Sequence, residues 1–204
     1  MRRFIDIFFS FTFIIFFSGV FFLLALLNLA IQGRPIFFIC KRLGKNGSPF
    51  NMIKFRTMEN GKSISSVDDE RRITNWGYFL RKSSLDEIPV FINVLIGNMN
   101  IVGPRPMPVK YLKRFNDHQL QRLEIRPGIT GLAQVSGRNE LSWEKRFDLD
   151  VKYKNNRSLF LDLKIIFKTI FVVIKGIGVS SKNSLIMPEF MGLSEIKEDT
   201  NSVE

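Results

Sequence analysis

From Ile7 to Gly33 the chain carries no charged residue. A helix of about 20 apolar residues crosses a bilayer, so residues 1–33 read first as a membrane-embedded segment. A cleaved signal peptide fits less well. The run is longer than a typical h-region, and no small-x-small cleavage site follows around Asn28-Leu29-Ala30. Both flanks are basic, with Arg2 and Arg3 before the run and Arg34, Lys41, Arg42 and Lys45 after it. The positive-inside tendency favours keeping both flanks on the cytoplasmic side. A straight span puts one of them on the wrong side, whereas a re-entrant hairpin does not. Ser18-Gly19 lies near the middle of the run, and Gly/Ser pairs are a known kink site. A Ser hydroxyl can also bond back to the i−4 carbonyl, here that of Ile14, and bend the helix. The residues alone leave a straight span and a hairpin both open.

The remaining chain is long enough for one hydrophobic core. A net charge of +11 points to an anionic partner: nucleic acid, an acidic membrane surface or a phosphorylated substrate. One cysteine, Cys40, and one histidine, His118, leave too few groups for a disulfide framework or a structural zinc site. Catalysis then falls to Asp, Glu, Lys or Arg. His118 sits in Asn116-Asp117-His118-Gln119, which reads as a polar helix surface.

Pro35–Arg42 and Phe50–Met58 read as two strands joined through Lys45-Asn46-Gly47, an Asn-Gly hairpin signal. Residues 59–70 read as a polar loop. Helices are expected over Asp68–Lys82, Ser84–Leu95, Val109–Glu124 and 142–155. Gly103-Pro104-Arg105-Pro106 and Arg126-Pro127-Gly128-Ile129-Thr130-Gly131 make rigid turns on either side of the third. Over 161–175 the apolar pattern carries Lys164, Lys168 and Lys175 at helical spacing. That pattern suits either an interfacial helix, apolar side down, or a core helix with a lysine-lined solvent face. From Ser181 onward the tail reads as partly disordered.

Ser84-Leu85-Asp86-Glu87 matches a capping box, with a hydroxyl at the cap and Glu three residues on. Asp86 is not required by that motif. In a first helical turn the macrodipole favours an ionised carboxylate, which is what a nucleophile or a magnesium ligand needs. Cations for phosphate stand at stiff positions: Arg105 between two prolines, Arg126 opening a Pro-Gly turn, and Arg138 after Gly137. Lys54 and Arg56 are expected on one strand face, and Arg81 precedes the Asp-Glu pair. Guanidinium groups bind phosphates bidentately.

These motifs together resemble the monotopic bacterial phosphoglycosyl transferases, also called bacterial sugar transferases. The resemblance runs from about Arg3 to Ser180. It rests on Lys54-Phe55-Arg56-Thr57-Met58, Leu80–Pro89, Asn93-Val94-Leu95, Val102–Pro106, Arg126–Gly131, Gln134–Arg138 and Asp162-Leu163-Lys164, in that order. It implies an α+β protein. A re-entrant membrane helix (1–33) is followed by a compact cytoplasmic catalytic domain (34–180) with interfacial amphipathic helices and a small β-hairpin, then a tail (181–204). It implies transfer of a sugar 1-phosphate from a UDP-sugar to undecaprenyl phosphate with Mg2+, on the cytoplasmic face of the inner membrane, as the first step of surface glycan synthesis. Downstream glycosyltransferases are then possible partners, and nucleic acid is not.

In this resemblance Asp86 takes the phosphosugar covalently as UMP leaves, and Glu87 assists with the metal or the leaving group. Lys54, Arg81 and Arg105 hold phosphates, with Arg56 and Arg126 as further substrate-side cations. Gln134 and Arg138 lie on the nucleotide-sugar side. Two positions depart from the family pattern: Ser18-Gly19 stands where Ser-Pro is usual, and Asn98 where Asp is usual. The rivals are a diphosphate hydrolase using the same dyad with water, a membrane-tethered nucleic-acid binder, and a non-enzymatic anion-binding scaffold. A nucleic-acid binder predicts basic and aromatic residues on one face, whereas here the cations sit on separate Pro/Gly turns.

Overall fold

The computed structural model describes residues 2–59, 61, 71–137, 140–175 and 189–192. Its helices are α1 (Arg2–Phe16), α2 (Ser18–Gln32), α3 (Asn75–Lys82), α4 (Val90–Ile96), α5 (Asp117–Leu120), α6 (Leu132–Ser136), α7 (Trp143–Asn156) and α8 (Leu159–Ile174). Its strands are β1 (Phe37–Leu43), β2 (Pro49–Phe55), β3 (Asn100–Val102) and β4 (Gly128–Thr130). Helix mixed with two small sheets agrees with the α+β expectation.

The apolar N-terminus forms two helices bent by 64°, and neither alone is long and apolar enough to cross a membrane. The break falls at Phe17, one residue before Ser18-Gly19. A side chain at Gly19 would meet open space, so no packing contact demands glycine there.

Both ends of the pair are fastened to the same globular part. At the start of α1, Arg3 donates to the carbonyls of Leu95 and Met99, and Asp6 accepts from the Ile101 amide at 3.2 Å. Arg2 pairs with Asp162 at 3.4 Å, and Phe13 stacks on Phe91 at 4.0 Å. At the end of α2, Asn28 donates to Ile36 O at 2.7 Å and accepts from the Trp76 indole at 3.0 Å. Gln32 donates to Arg56 O at 2.7 Å.

β1 and β2 form the expected antiparallel hairpin, with Phe37 opposite Phe55 and Leu43 opposite Pro49. Asn46 and Gly47 both take positive φ, 55° and 73°, in its turn. The second strand ends earlier than expected, at Phe55. Arg56 therefore does not share a strand face with Lys54.

Three expected helices are corrected. The helix ending at Lys82 starts at Asn75, because Thr74 is extended and its side chain accepts from the Gly77 amide. Residues 68–70 lie outside the described residues, as does nearly all of the expected loop 59–70. The expected helix 84–95 is a 3-10 turn, Leu85–Glu87, followed by α4. Ser84 is left-handed (φ 59°) and makes no side-chain cap, so the capping-box reading fails. Pro89 instead stands at the N-cap of α4, where its missing N–H is harmless. The expected helix 109–124 splits into 3-10 turns at Val109–Arg114 and Gln121–Glu124 around α5. The Asn116–Gln119 capping box starts that short helix.

The last two helices match the expectation within two residues, with Ser142 and Ser158 as their N-caps. α8 buries Ile165 and Val172 but leaves Phe160, Leu163, Phe167, Ile170, Phe171 and Ile174 exposed. Its outward side is therefore an apolar stripe interleaved with lysines, not a lysine-lined polar face. Most of the tail lies outside the described residues, but Glu189–Gly192 is packed, with Phe190 in the core beside Tyr111, Phe115 and Phe147.

Candidate active site

The turn Leu85–Glu87 is held from both sides. Leu85 and Ile88 pack into a cluster with Leu24, Phe55 and Leu80. Val90 and Val94 of the following helix are fully buried, each such burial stabilising by about 1.5–3 kcal/mol. Asn93, 1% exposed, clamps that helix to β2: its Oδ1 accepts from the Ile53 amide at 3.0 Å and its Nδ2 donates to Asn51 O at 2.7 Å. This sets the register that places Lys54 against the turn.

Lys54 Nζ lies 2.5 Å from Glu87 Oε1 and 4.0 Å from Asp86 Oδ2. Arg105 Nη2 reaches the same Glu87 oxygen at 2.8 Å. Arg81 donates to the Thr57 hydroxyl at 2.9 Å, and its charge acts on Asp86. Burial raises the Asp86 pKa to about 6; Lys54, Arg81 and Arg105 oppose that rise, and the neighbouring Glu87 adds to it. Burial pushes Glu87 the same way, but the charges and hydrogen bonds of Arg105 and Lys54 outweigh it and hold Glu87 far below the usual carboxylate range. Two adjacent carboxylates thus differ in proton affinity, the pattern that separates roles in an active site.

Arg105 is positioned by main chain. β3 and β4 pair in parallel, and Gly128 N donates to Pro104 O at 2.9 Å. A Cβ on Gly128 would stand 2.1 Å from Gly103 N, and one on Gly131 would stand 2.1 Å from Gly103 O. The Gly-Pro-Arg-Pro and Arg-Pro-Gly-Ile-Thr-Gly motifs therefore form one close backbone crossing.

Behind that crossing is a group the sequence reading missed. Arg122, 1% exposed, donates to the Arg105 carbonyl at 2.6 Å and to Asp150 Oδ2 at 2.7 and 3.0 Å. Arg146 is also buried; burial first, and the charge of Arg105 second, bring its pKa down to about 10. The sequence did hold a signal: Asp150 falls at helical spacing with Phe147 and Val151, on the apolar face of α7.

The other expected site residues are dispersed. Arg56 bonds the carbonyls of Gln32, Gly33 and Arg34, closing the C-terminus of α2. Arg126 donates to Gly97 O at 2.9 Å, at the end of α4. Gln134 has a buried amide with no hydrogen-bond partner among the described residues. Arg138 lies outside the described residues. His118 is on the surface, 2.9 Å from Asp148.

Among the described residues, no group of three or more His, Cys, Asp or Glu side chains converges. Magnesium bound through one or two carboxylates plus substrate phosphates needs no such group; the carboxylates the turn offers are Asp86 and Glu87, with Glu87 Oε1 already bonded by Lys54 and Arg105.

The family model for bacterial sugar transferase matches residues 1–176. The chain is 43% identical over 179 residues to the uncharacterized sugar transferase EpsL of Bacillus subtilis (strain 168), covering 87% of this chain and 88% of that one. It is 38% identical over 173 residues to the exopolysaccharide production protein ExoY of Rhizobium meliloti (strain 1021), covering 76% of each. It is 41% identical over 149 residues to the UDP-glucose:undecaprenyl-phosphate glucose-1-phosphate transferase of Escherichia coli (strain K12), covering 67% of this chain but 32% of that longer one. The chain belongs to the bacterial sugar transferase family.

Proposed function

We propose that this chain transfers a sugar 1-phosphate from a UDP-sugar to undecaprenyl phosphate through a phosphosugar held on Asp86. The observation that carries the reading is the pair of adjacent carboxylates in one turn: Glu87 neutralised by Lys54 and Arg105, and Asp86 left 4.0 Å from Lys54. An ionised Asp86 oxygen attacks the phosphorus that bears the sugar. The P–O bond to the second phosphate breaks, and UMP leaves with that oxygen. A phosphate oxygen of the lipid then attacks the same phosphorus, the acyl-phosphate bond breaks, and Asp86 is regenerated. Lys54, Arg81 and Arg105 screen the anionic donor from the anionic nucleophile. Asp86 and Glu87 would hold magnesium together with the donor's phosphates, and the ion would supply further charge neutralisation there. Gln134 and Arg138 are assigned to the nucleotide-sugar side. The relatives' names supply the donor and acceptor classes.

The bilayer belongs to the same proposal. A straight α1–α2 helix would separate its ends by about 45 Å, whereas both ends here fasten to one body. The exposed aromatic side chains of α1, α2 and α8 suit a hydrocarbon environment. This reading puts the globular part on the cytoplasmic face, with both basic flanks.

The test uses full-length protein in nanodiscs with Mg2+ and a panel of UDP-sugars. UMP release and a phosphosugar adduct on Asp86 are expected, with transfer when undecaprenyl phosphate is added. Folded protein that gives neither adduct nor UMP with any donor sinks the proposal. UMP and free sugar phosphate without any need for lipid indicate a hydrolase instead.

A further inference from the structure

Past α8, the described chain resumes at Glu189 and returns to the wall behind the Arg105 turn. Phe190 is 4% exposed. Its ring lies 5.0 Å from Phe147, 5.6 Å from Tyr111, 5.7 Å from Trp143 and 5.9 Å from Phe115, centroid to centroid. Its amide donates to the Tyr111 hydroxyl at 3.0 Å, and its carbonyl accepts from Arg114 at 2.6 Å. Glu189 pairs with Lys110 at 2.6 Å and Arg114 at 2.7 Å. These exposed pairs add direction more than energy.

Two of the rings around Phe190 also hold a cation. The Arg122 guanidinium lies 5.7 Å from the Phe115 ring centre and 5.3 Å from that of Phe147. Stacking on aromatic faces fixes the plane of a guanidinium, and that plane aims Arg122 at Asp150 and at the Arg105 carbonyl. One aromatic box therefore has the tail on one side and the support of the Arg105 turn on the other.

We infer that Phe190 is a positioning residue for this turn. It wedges Phe115 and Phe147, these hold Arg122, and Arg122 fixes the main chain that presents Arg105 to Glu87. Phe190 itself touches no reacting group. The inference rests on the donor reading above only for which substrate responds.

The test compares full-length wild type, Phe190→Ala, Phe190→Leu and Val172→Ala in nanodiscs. Val172 is buried on α8, outside the aromatic box, and serves as a stability control. Phe190→Ala is expected to raise the UDP-sugar KM on the order of tenfold while kcat falls less, since small misplacements of a binding group are costly. Phe190→Leu refills most of the volume and raises KM only about threefold on the same ground. Val172→Ala lowers the melting temperature and leaves KM unchanged. A readout independent of activity is amide hydrogen exchange, which should quicken at residues 105 and 107 in both Phe190 variants and stay constant over 90–96.

If Phe190→Ala does not fold, Phe190→Leu carries the comparison. An unchanged donor KM and unchanged exchange in the folded variants overturn the inference, as does a Val172→Ala effect equal to that of Phe190→Ala. Wild type that releases no UMP fails the donor reading instead, and the exchange measurement then decides the positioning role alone.

Discussion

Lys54 Nζ stands 2.5 Å from Glu87 and 4.0 Å from Asp86. The lysine is shared unequally, and Arg105 adds to the imbalance by bonding the same Glu87 oxygen. These cations hold Glu87 far below the usual carboxylate range, while burial raises the pKa of Asp86, its chain neighbour, to about 6. On the proposed mechanism this difference controls the acid limb of activity.

With a nucleophile that must be ionised, kcat/KM should rise with pH and level off above about 6. Lys54 lowers the Asp86 pKa and Glu87 raises it. Lys54→Met should therefore move the acid limb to higher pH, and Glu87→Gln should move it to lower pH, whatever either does to the plateau rate. UMP release measured from pH 5 to 8.5 checks both. Limbs that move in the same direction contradict the assignment.

Asp86→Asn should abolish turnover and stabilise the fold. Asp86 is raised from 3.8 to about 6, so the folded state keeps its proton longer than the unfolded chain does. Stability from this group is fully present below the ordinary carboxylate pKa and is lost as pH rises through about 6. The loss is on the order of 2–3 kcal/mol by linkage. Asn removes that dependence. Denaturant melts at pH 7.5 should show the variant more stable than wild type, with the gain shrinking toward pH 4.5.

Ser84→Ala separates the capping box from the observed turn. A Ser that caps a helix loses about 1 kcal/mol on truncation to Ala. Here the hydroxyl makes no cap bond and the residue is left-handed. Ala should leave the stability unchanged, while Gly, which accepts positive φ freely, should match it or raise it by roughly 0.5–1 kcal/mol, read from denaturant melts.

Asp150→Asn should be among the most damaging substitutions remote from the dyad. It leaves Arg122, which is 1% exposed, without its counter-ion. Removing one partner of a buried pair costs about 3–5 kcal/mol. Replacing both, as Arg122→Met with Asp150→Leu, should recover much of the stability without recovering the hold on the Arg105 carbonyl. Melting temperature and donor KM should then diverge in the double variant.

The fold is most legible in the sequence where one local signal dominates. Asn46-Gly47 marked the hairpin, and the order of motifs pointed to the family. Local pattern misleads where tertiary contacts overrule it. Ser84-x-x-Glu87 has the letters of a capping box, but Leu85 and Ile88 are drawn into a cluster with Leu24 and Phe55, and the chain turns in 3-10 form instead. Lys54 and Arg56 have the period of one strand face, yet the strand stops between them because Arg56 is taken by the carbonyls ending α2. Arg122 and Asp150 lie far apart in sequence, and no spacing rule pairs them. Phe190 sits in a stretch whose composition resembles a loose tail, and its burial depends on rings supplied by two other segments, 111–115 and α7.

The fastening of Arg3 at one end of the bent pair and Gln32 at the other has a topological consequence. Each arm is 15 residues, about 22 Å long, shorter than a hydrocarbon core of about 30 Å. On the membrane reading proposed above, the chain enters and leaves through one surface and has only one aqueous side. A glycolipid made there is released into the leaflet that supplied its acceptor. Bringing the sugar to the opposite side then falls to a separate translocation step.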